Sequence, residues 1–472
     1  MRDFERRQRL IAQNTWWVDA RWRDSDPDLR EARLNALDSY DPRPLAGISA
    51  GSLYLFMGPR RAGKSVAVKR EIDALISDGV SPQRIVFCAC EGLNEHDLRR
   101  VVAIACDLTR HVVDRDRYWF FDEITYVKDW PAALKQLRDA TALRDGSVVA
   151  TGSSTADLRA ARGDLGGREG STGGVRILLP MPFRAFMREI YPDLADNLPS
   201  DVMHRHDLQT EASKRYFEAL RLHVDGLALA WERYIEIGGF PRAVADAKTG
   251  VDISRATADG LWNILSGDVL RVGQMSDRDI KELLTALVGG IGSPLNVRNL
   301  TGRLAIGTRN TVADRINRLC ASLFAWRVSV THDGKTKVLG GQEKLYFIDP
   351  VITRLPSLRD TSTPAPDISY LAEQAVGVAL LRTVAAEDVS PLLDEDALLV
   401  RRHAETGAEI DFVGPLHTTP IESKYVSQKW KGERRALDEH YQRGIVATRD
   451  ILDMADSIWA VPATLVAWSL GA

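Results

Sequence analysis

Cysteine is scarce in this sequence: Cys88, Cys90, Cys106 and Cys320 are the four in 472 residues. They are too few and too scattered for a disulfide framework, which excludes a stapled secreted scaffold and fits a reducing cytoplasm. Cys88 and Cys90 have no second ligand pair at zinc-site spacing, so no zinc is assigned. Long apolar runs are missing too. No uncharged segment is longer than Ser457 to Ala472, which is shorter than the ~20 apolar residues that span a bilayer and contains Pro462. It reads as strand, turn and helix, and no membrane partner is expected. The first residues, with Arg2, Asp3, Glu5, Arg6, Arg7 and Arg9, lack the apolar stretch of a signal peptide. Neither sign of charge dominates: 62 Lys and Arg stand against 65 Asp and Glu, a net of −3, so any polyanion must be met by a local patch. The composition is that of a globular protein, and at roughly 150 residues per domain the length predicts about three domains.

What is present is sharper. Gly58-Pro59-Arg60-Arg61-Ala62-Gly63-Lys64-Ser65 follows the apolar run Leu53 to Met57 and precedes a helical pattern, Val66 to Ile76. This strand, glycine-rich loop and helix make a P-loop: glycines let backbone N–H groups approach phosphate oxygens, and the helix N-terminus adds favourable potential. Gly58 to Val66 are therefore expected to bind ATP. Lys64 would reach the β- and γ-phosphates and Ser65 would offer a hydroxyl to Mg²⁺. A second apolar run, Tyr118-Trp119-Phe120-Phe121, ends in Asp122-Glu123. That is a Walker B ending, with Asp122 expected in the Mg²⁺ shell and Glu123 expected to polarise the attacking water. Strand-like Ile85 to Cys90 and Val148 to Thr151, the latter followed by Gly152-Ser153-Ser154, complete a repeated β/α rhythm. The arrangement resembles the additional-strand ATPases that include AAA-type machines. The resemblance implies that Ser153 or Ser154 sits where a sensor would feel the γ-phosphate; an ordinary strand-ending turn is the other reading. Arg159 to Arg176 is rich in Gly and Arg and reads as a loop beside the nucleotide, in which Arg168 is the candidate arginine finger and solvated surface is the alternative.

From Met181 to Met275 the periodicity is helical, interrupted by Gly238-Gly239-Phe240-Pro241, and predicts a lid. Leu300 and Leu304, then Val312, Ile316, Leu319 and Leu323, follow two helical faces either side of Gly307-Thr308, a helix-turn-helix pattern. Trp326 to Val330, an Asp333-Gly334 turn and Thr336 to Leu339 are expected to form the wing. Between Ser293 and Val330 six arginines stand against Asp314 alone, a local excess of five positive charges. Arg309, Asn310, Arg315 and Arg318 are the candidate contacts to DNA, although winged helices also serve as interdomain adaptors.

Pro350, Pro356, Pro364 and Pro366 mark a linker. Beyond it, Glu373 opens a helix through Leu381; Ala397 to Arg401, Glu409 to Val413 and Ile421 to Lys424 read as strands, the last two a hairpin through Pro415 to Pro420. Strand alternation puts Glu422 and Lys424 on one face, with Asp411 opposite and Glu373 arriving from the helix. Three carboxylates and an ammonium at a sheet end would hold a divalent metal, through Asp411 and Glu422, and orient a water for phosphodiester attack. A merely charged strand is the alternative.

Taken together with Thr151-Gly152-Ser153-Ser154, Lys344-Leu345-Tyr346-Phe347-Ile348-Asp349 and Gly407 to Phe412, these motifs make the chain resemble the prokaryotic AAA-type ATPases that carry a C-terminal domain of unknown function with a PD-(D/E)XK restriction-endonuclease-like core. The resemblance implies an α/β multidomain protein. Its parts are an N-terminal helical extension (1–46), a P-loop parallel-sheet ATPase core (47–180), a helical lid (181–275), a winged helix-turn-helix (276–354), a linker (355–368) and an α/β nuclease-like domain (369–472). Trp16, Trp17 and Trp22 lie in the extension, outside the resemblance. The function expected is an ATPase, using ATP and Mg²⁺, whose nucleotide state controls a DNA-facing winged helix and a metal-dependent nuclease-like domain. The alternative is a nucleotide-operated switch that docks a protein partner without cleavage. A homo-oligomer is also within the expectation.

Overall fold

The computed structural model describes the chain except residues 1, 38, 113–115, 141–142, 155–164, 166–169, 171–172, 204, 271–274, 305–307, 388–397, 403–407, 415–418 and 472. The chain divides into two compact units, Met1–Leu178 and Leu179–Ala472.

In the first unit, five short apolar segments become parallel strands: β1 (Leu53–Met57), β2 (Ile85–Ala89), β3 (Tyr118–Asp122), β4 (Ser147–Gly152) and β5 (Gly174–Ile177). Their order across the sheet is β2-β3-β4-β1-β5. Thus β4 lies between the P-loop strand and the Walker B strand, each pair in parallel register. β1 is buried along its whole length, as its unbroken apolar run requires of a central parallel strand.

The N-terminal segment packs on this sheet. Trp16 and Trp22 are buried with Tyr54, Phe56, Ile72 and Phe87 in one apolar cluster. β2 is an edge strand, and an edge leaves backbone N–H and C=O groups unpaired. Here side chains pair them. Asn14 accepts from Phe87 N (2.7 Å) and donates to Phe87 O (2.8 Å), while the Trp17 indole donates to Ile85 O (2.8 Å) and Arg9 to Ala89 O (2.9 Å).

The second unit is built on one seven-stranded mixed sheet: β6 (Ala325–Thr331), β7 (Glu343–Phe347), β8 (Leu399–Arg402), β9 (Glu409–Val413), β10 (Ile421–Ser423), β11 (Gly444–Thr448) and β12 (Ile458–Pro462), in the order β12-β11-β10-β9-β8-β6-β7. Two expectations are corrected here. The main return strand of the hairpin is Glu343–Phe347; the expected Thr336–Leu339 contributes an antiparallel bridge from Lys337 to Thr331 and a bond from Val338 N to Val330 O, after a turn in which Asp333 accepts from Lys335 N and Thr336 N. Nor is the hairpin a free-standing wing. β6 pairs in parallel with β8, so 276–354 and 369–472 share a sheet. The proline-marked linker is also corrected in part. Pro350–Arg359 is a helix, capped by Asp349, whose carboxylate accepts from Val351 N. Pro350 sits at its first turn, where a missing N–H costs nothing.

Gly238 and Gly239 explain themselves in this unit. A Cβ on Gly238, at φ +78°, would lie 2.0 Å from Asp349 Oδ1, and one on Gly239 would lie 2.0 Å from Met181 O. Gly239 N donates to Asp349 Oδ2 (2.7 Å), so two separated motifs, Gly-Gly-Phe-Pro and Ile-Asp-Pro, form one clasp. The last helix, Ala463–Leu470, is buried in the helical segment that the lid pattern covered: Trp468 donates to Pro199 O and stacks under Arg184, and Thr464 donates to Leu227 O. No described helix is long and apolar enough to cross a membrane.

Candidate functional site

In the first unit the phosphate loop turns sharply out of β1. Gly58 has no room for a side chain, since a Cβ there would lie 2.3 Å from Leu178 O. Gly63, at φ +101°, caps the helix Lys64–Ser77 in a left-handed conformation that glycine adopts without strain. Ala62 is buried, closing the loop by its N–H to Pro59 O (3.3 Å); Val66 packs against the core behind it. Arg61 points to Glu31 at 3.9 Å, and Arg60 donates to the Tyr126 hydroxyl while lying over its ring.

The reacting groups converge at the ends of β1, β3 and β4. Lys64 is buried; its ammonium donates to Gly58 O (2.9 Å) and Pro59 O (3.3 Å) and stands 3.6 Å from Glu123 Oε1. Burial pulls the Lys64 pKa down, opposed by the charges of Glu123 and Asp122. Ser65 Oγ donates to Asp122 Oδ2 (3.0 Å), and Thr151 Oγ1 donates to Asp122 Oδ1 (2.6 Å). Burial and the neighbouring Glu123 push the Asp122 carboxyl up, against the pull of these hydroxyls. Glu123 adopts φ +50°, uncommon for a residue with a side chain. Its N–H donates to Thr151 Oγ1 (2.8 Å), and Ser153 Oγ reaches both its carboxylate oxygens (2.8 and 2.9 Å). A left-handed turn held by hydrogen bonds is strain stored where a carboxylate must be aimed.

Sequence reasoning therefore named the ring but missed Thr151, which links Asp122 to the Glu123 backbone. The signal was a hydroxyl at the end of an apolar strand, inside the Thr-Gly-Ser-Ser run. Arg168 lies outside the described residues.

The donor set fits a magnesium nucleotide. Ser65 and Asp122 present hard oxygens 3.0 Å apart, and the Lys64 ammonium is held by the loop carbonyls of Gly58 and Pro59 with Glu123 Oε1 3.6 Å away.

In the second unit the structure brings Glu373, Asp411, Glu422 and Lys424 together, but around a residue that the metal-centre reading did not include. Lys344 on β7, 2% exposed, places Nζ 2.7 Å from Asp411 Oδ1, 2.6 Å from Glu409 Oε1 and 3.2 Å from Glu373 Oε1. Tyr346 donates to Glu373 Oε1 (2.5 Å), Ser423 N donates to Asp411 Oδ2 (2.9 Å), Asp411 N donates to Glu422 Oε2 (3.2 Å) and Lys424 pairs with Glu422 Oε1 (2.7 Å). Burial, then the Asp411 charge, raise the Glu373 carboxyl to about 7, and raise Glu422 well above the usual range. Burial disfavours the Asp411 charge as well, but Lys344 and Lys424 outweigh it and hold that carboxyl low. The Lys344 ammonium sits 2.7 Å from Asp411 Oδ1, a carboxylate expected to bind a metal, and among the described residues no group of three or more Asp, Glu, His or Cys is arranged to hold a metal ion.

The helix-turn-helix candidates divide. In the helix Arg309–Ala321, Val312, Ile316 and Leu319 are buried as their spacing predicts. Arg309, Asn310 and Arg318 are exposed. Arg315 is buried, paired with Asp314 and against Met275 Sδ, which removes it from the nucleic-acid set.

Two family models match parts of the chain. Residues 51–187 match the family described as AAA domain (AAA_14), and residues 229–360 match a domain of unknown function (DUF8612). No curated protein matches the chain. Among solved structures it is similar to the ORC1 protein of Aeropyrum pernix in complex with DNA, at 15% identity over 70% of this chain and 92% of that one, with a TM-score of 0.31. The ORC2 protein of the same organism, in ADPNP-ADP complexes, is similar at 14% identity over 71% and 92%, with a TM-score of 0.32. A DNA polymerase III gamma subunit-related protein of Thermotoga maritima follows at 13% over 62% and 99%, with a TM-score of 0.22. Residues 51–187 thus combine a match to the AAA domain model with a parallel sheet and a P-loop.

Proposed function

We propose that this P-loop domain binds ATP with Mg²⁺ and hydrolyses it. One observation carries the reading: Lys64, Ser65, Asp122, Thr151, Glu123 and Ser153 form a continuous polar ring at the ends of three adjacent strands. The N–H groups opening the helix Lys64–Ser77 would face the phosphates. Lys64 would exchange its two loop carbonyls for phosphate oxygens, and Ser65 and Asp122 would hold Mg²⁺. The bound ion supplies neutralisation of the charge that develops on the phosphoryl oxygens. Glu123, aimed by Ser153 and by its own backbone bond to Thr151, orients the attacking water and accepts its proton. Phosphate release by Glu123→Gln tests the reading. The variant is expected to bind ATP yet release phosphate roughly 100-fold more slowly or worse, and wild-type turnover in it would refute the assignment.

We further propose that the partner acted upon is DNA, met through the helix Arg309–Ala321. The exposure of Arg309, Asn310 and Arg318 on that helix supports this. Charge reversal at Arg309 should weaken DNA binding and flatten its salt dependence; equal affinity and salt slope in Arg309→Glu would remove the helix from the interface.

A further inference from the structure

The C-terminal centre contains four carboxylates, Glu373, Glu409, Asp411 and Glu422, and three cations, Lys344, Lys424 and Arg402, the last 2.6 Å from Glu409 Oε2. The charge is nearly balanced without any ion from solution. In a magnesium centre one or two carboxylates bind the ion at about 2.0–2.1 Å and waters complete its shell. The shared partner of Glu373, Glu409 and Asp411 is instead the Lys344 ammonium, at hydrogen-bond distances. It is held there by its strand. β7 is in antiparallel register with β6, with Lys344 opposite Val328, and on its other side Lys344 is bridged to Pro294. Strand alternation puts Lys344 and Tyr346 on one face, both aimed at Glu373 Oε1. A divalent ion bound by Asp411 would sit beside an ammonium that is only 2% exposed, and like charges at such separation repel strongly.

We propose that Lys344 takes the place of a divalent cation in the Glu373–Asp411–Glu422 centre, making it a metal-free ionic clasp that ties β7 to β9, β10 and the helix Ile368–Glu387 rather than a site of phosphodiester cleavage. The residues do not fit a resident metal, and no cleavage step runs through them. Lys424, the lysine that a cleavage reading would use, is the partner of Glu422. The clasp also gives the hairpin a use: β7 carries the cation and the C-terminal strands carry the anions, so the two segments of sequence are locked by charge as well as by the shared sheet. This inference is independent of the ATPase proposal, because its test is run without nucleotide.

Mn²⁺ titration of the full nucleotide-free chain, followed by water-proton relaxation, is the test. Wild type is expected to show no Mn²⁺ binding that depends on Asp411, and no shift of its thermal midpoint with chelator. Lys344→Ala is expected to gain one Mn²⁺ per chain, bound at least about tenfold more tightly than any background ion, and the added Asp411→Asn change should abolish the gain. Nucleotide-free Mn²⁺ binding by wild type that Asp411→Asn removes would overturn the proposal, as would metal-dependent DNA cleavage lost in the same variant. If Lys344→Ala does not accumulate as folded protein, the wild-type and Asp411→Asn titrations decide the matter in the same two directions.

Discussion

Each of the two units buries a lysine among carboxylates, yet the two lysines are placed oppositely. Lys64 donates to backbone carbonyls and stands 3.6 Å from its nearest carboxylate, Glu123; Lys344 has three carboxylates at 2.6–3.2 Å. A cation hydrogen-bonded to neutral carbonyls, with its nearest carboxylate at 3.6 Å, keeps more of its charge for an incoming anion than one in close contact with three carboxylates. One already surrounded by carboxylates has no such demand, and serves the fold. The contrast shows why a cluster of acidic and basic side chains is not by itself a reactive site: what matters is whether the charges are already satisfied by each other.

The largest expected effect that would sharpen this comparison is on turnover. Lys64→Ala should abolish ATP hydrolysis and weaken nucleotide binding, measured by phosphate release and calorimetry, whereas Lys344→Met should leave hydrolysis by correctly folded protein within a few-fold of wild type. Next comes stability. Lys344→Met strands buried carboxylates without their cation, and denaturant unfolding should report a loss of about 3–5 kcal/mol; a neutral result would mean that the clasp is not what holds β7.

A third effect is on pH. The folded-state pKa of Glu373 is raised to about 7 from an ordinary 4.5. The native state therefore holds a proton that the unfolded chain has released, so the stabilisation is complete below about 4.5 and is lost as pH rises through about 7. Glu373→Gln should flatten the fall in stability between those values, a slope of at most about 1.4 kcal/mol per pH unit. An unchanged slope would break the assignment of that titration to the clasp. The smallest effect is Ser153→Ala, which frees the Glu123 carboxylate from one partner while Thr151 still holds its backbone. A fall in turnover of a few-fold with little change in nucleotide affinity is expected.

The first centre was legible in the sequence because its parts are local: the P-loop is eight consecutive residues, and the Walker B carboxylates end a run of aromatic residues. Gly58 and Gly63 each mark a backbone constraint that the structure makes explicit. The second centre was half legible. Glu373, Asp411, Glu422 and Lys424 meet as alternation and hairpin pairing predict, but their organising cation sits 67 positions before Asp411, on the strand at the end of the sheet order beside β6. Its trace was the pair Lys344 and Tyr346, polar groups two apart that alternate with the apolar Leu345 and Phe347, which marks a polar face. The misplaced return strand had a different cause: Asp-Gly marks the turn correctly, but the long register with β6 is made further along, by Glu343–Phe347. Arg315 looked available because helical spacing alone does not distinguish an exposed arginine from one buried against Asp314 and Met275.

The most direct test of the contrast is the number of Mn²⁺ ions bound per chain, measured with and without a non-hydrolysable ATP analogue. The account predicts none without nucleotide and one with it, lost in Asp122→Ala and retained in Asp411→Asn. An ion bound without nucleotide and lost in Asp411→Asn would contradict it.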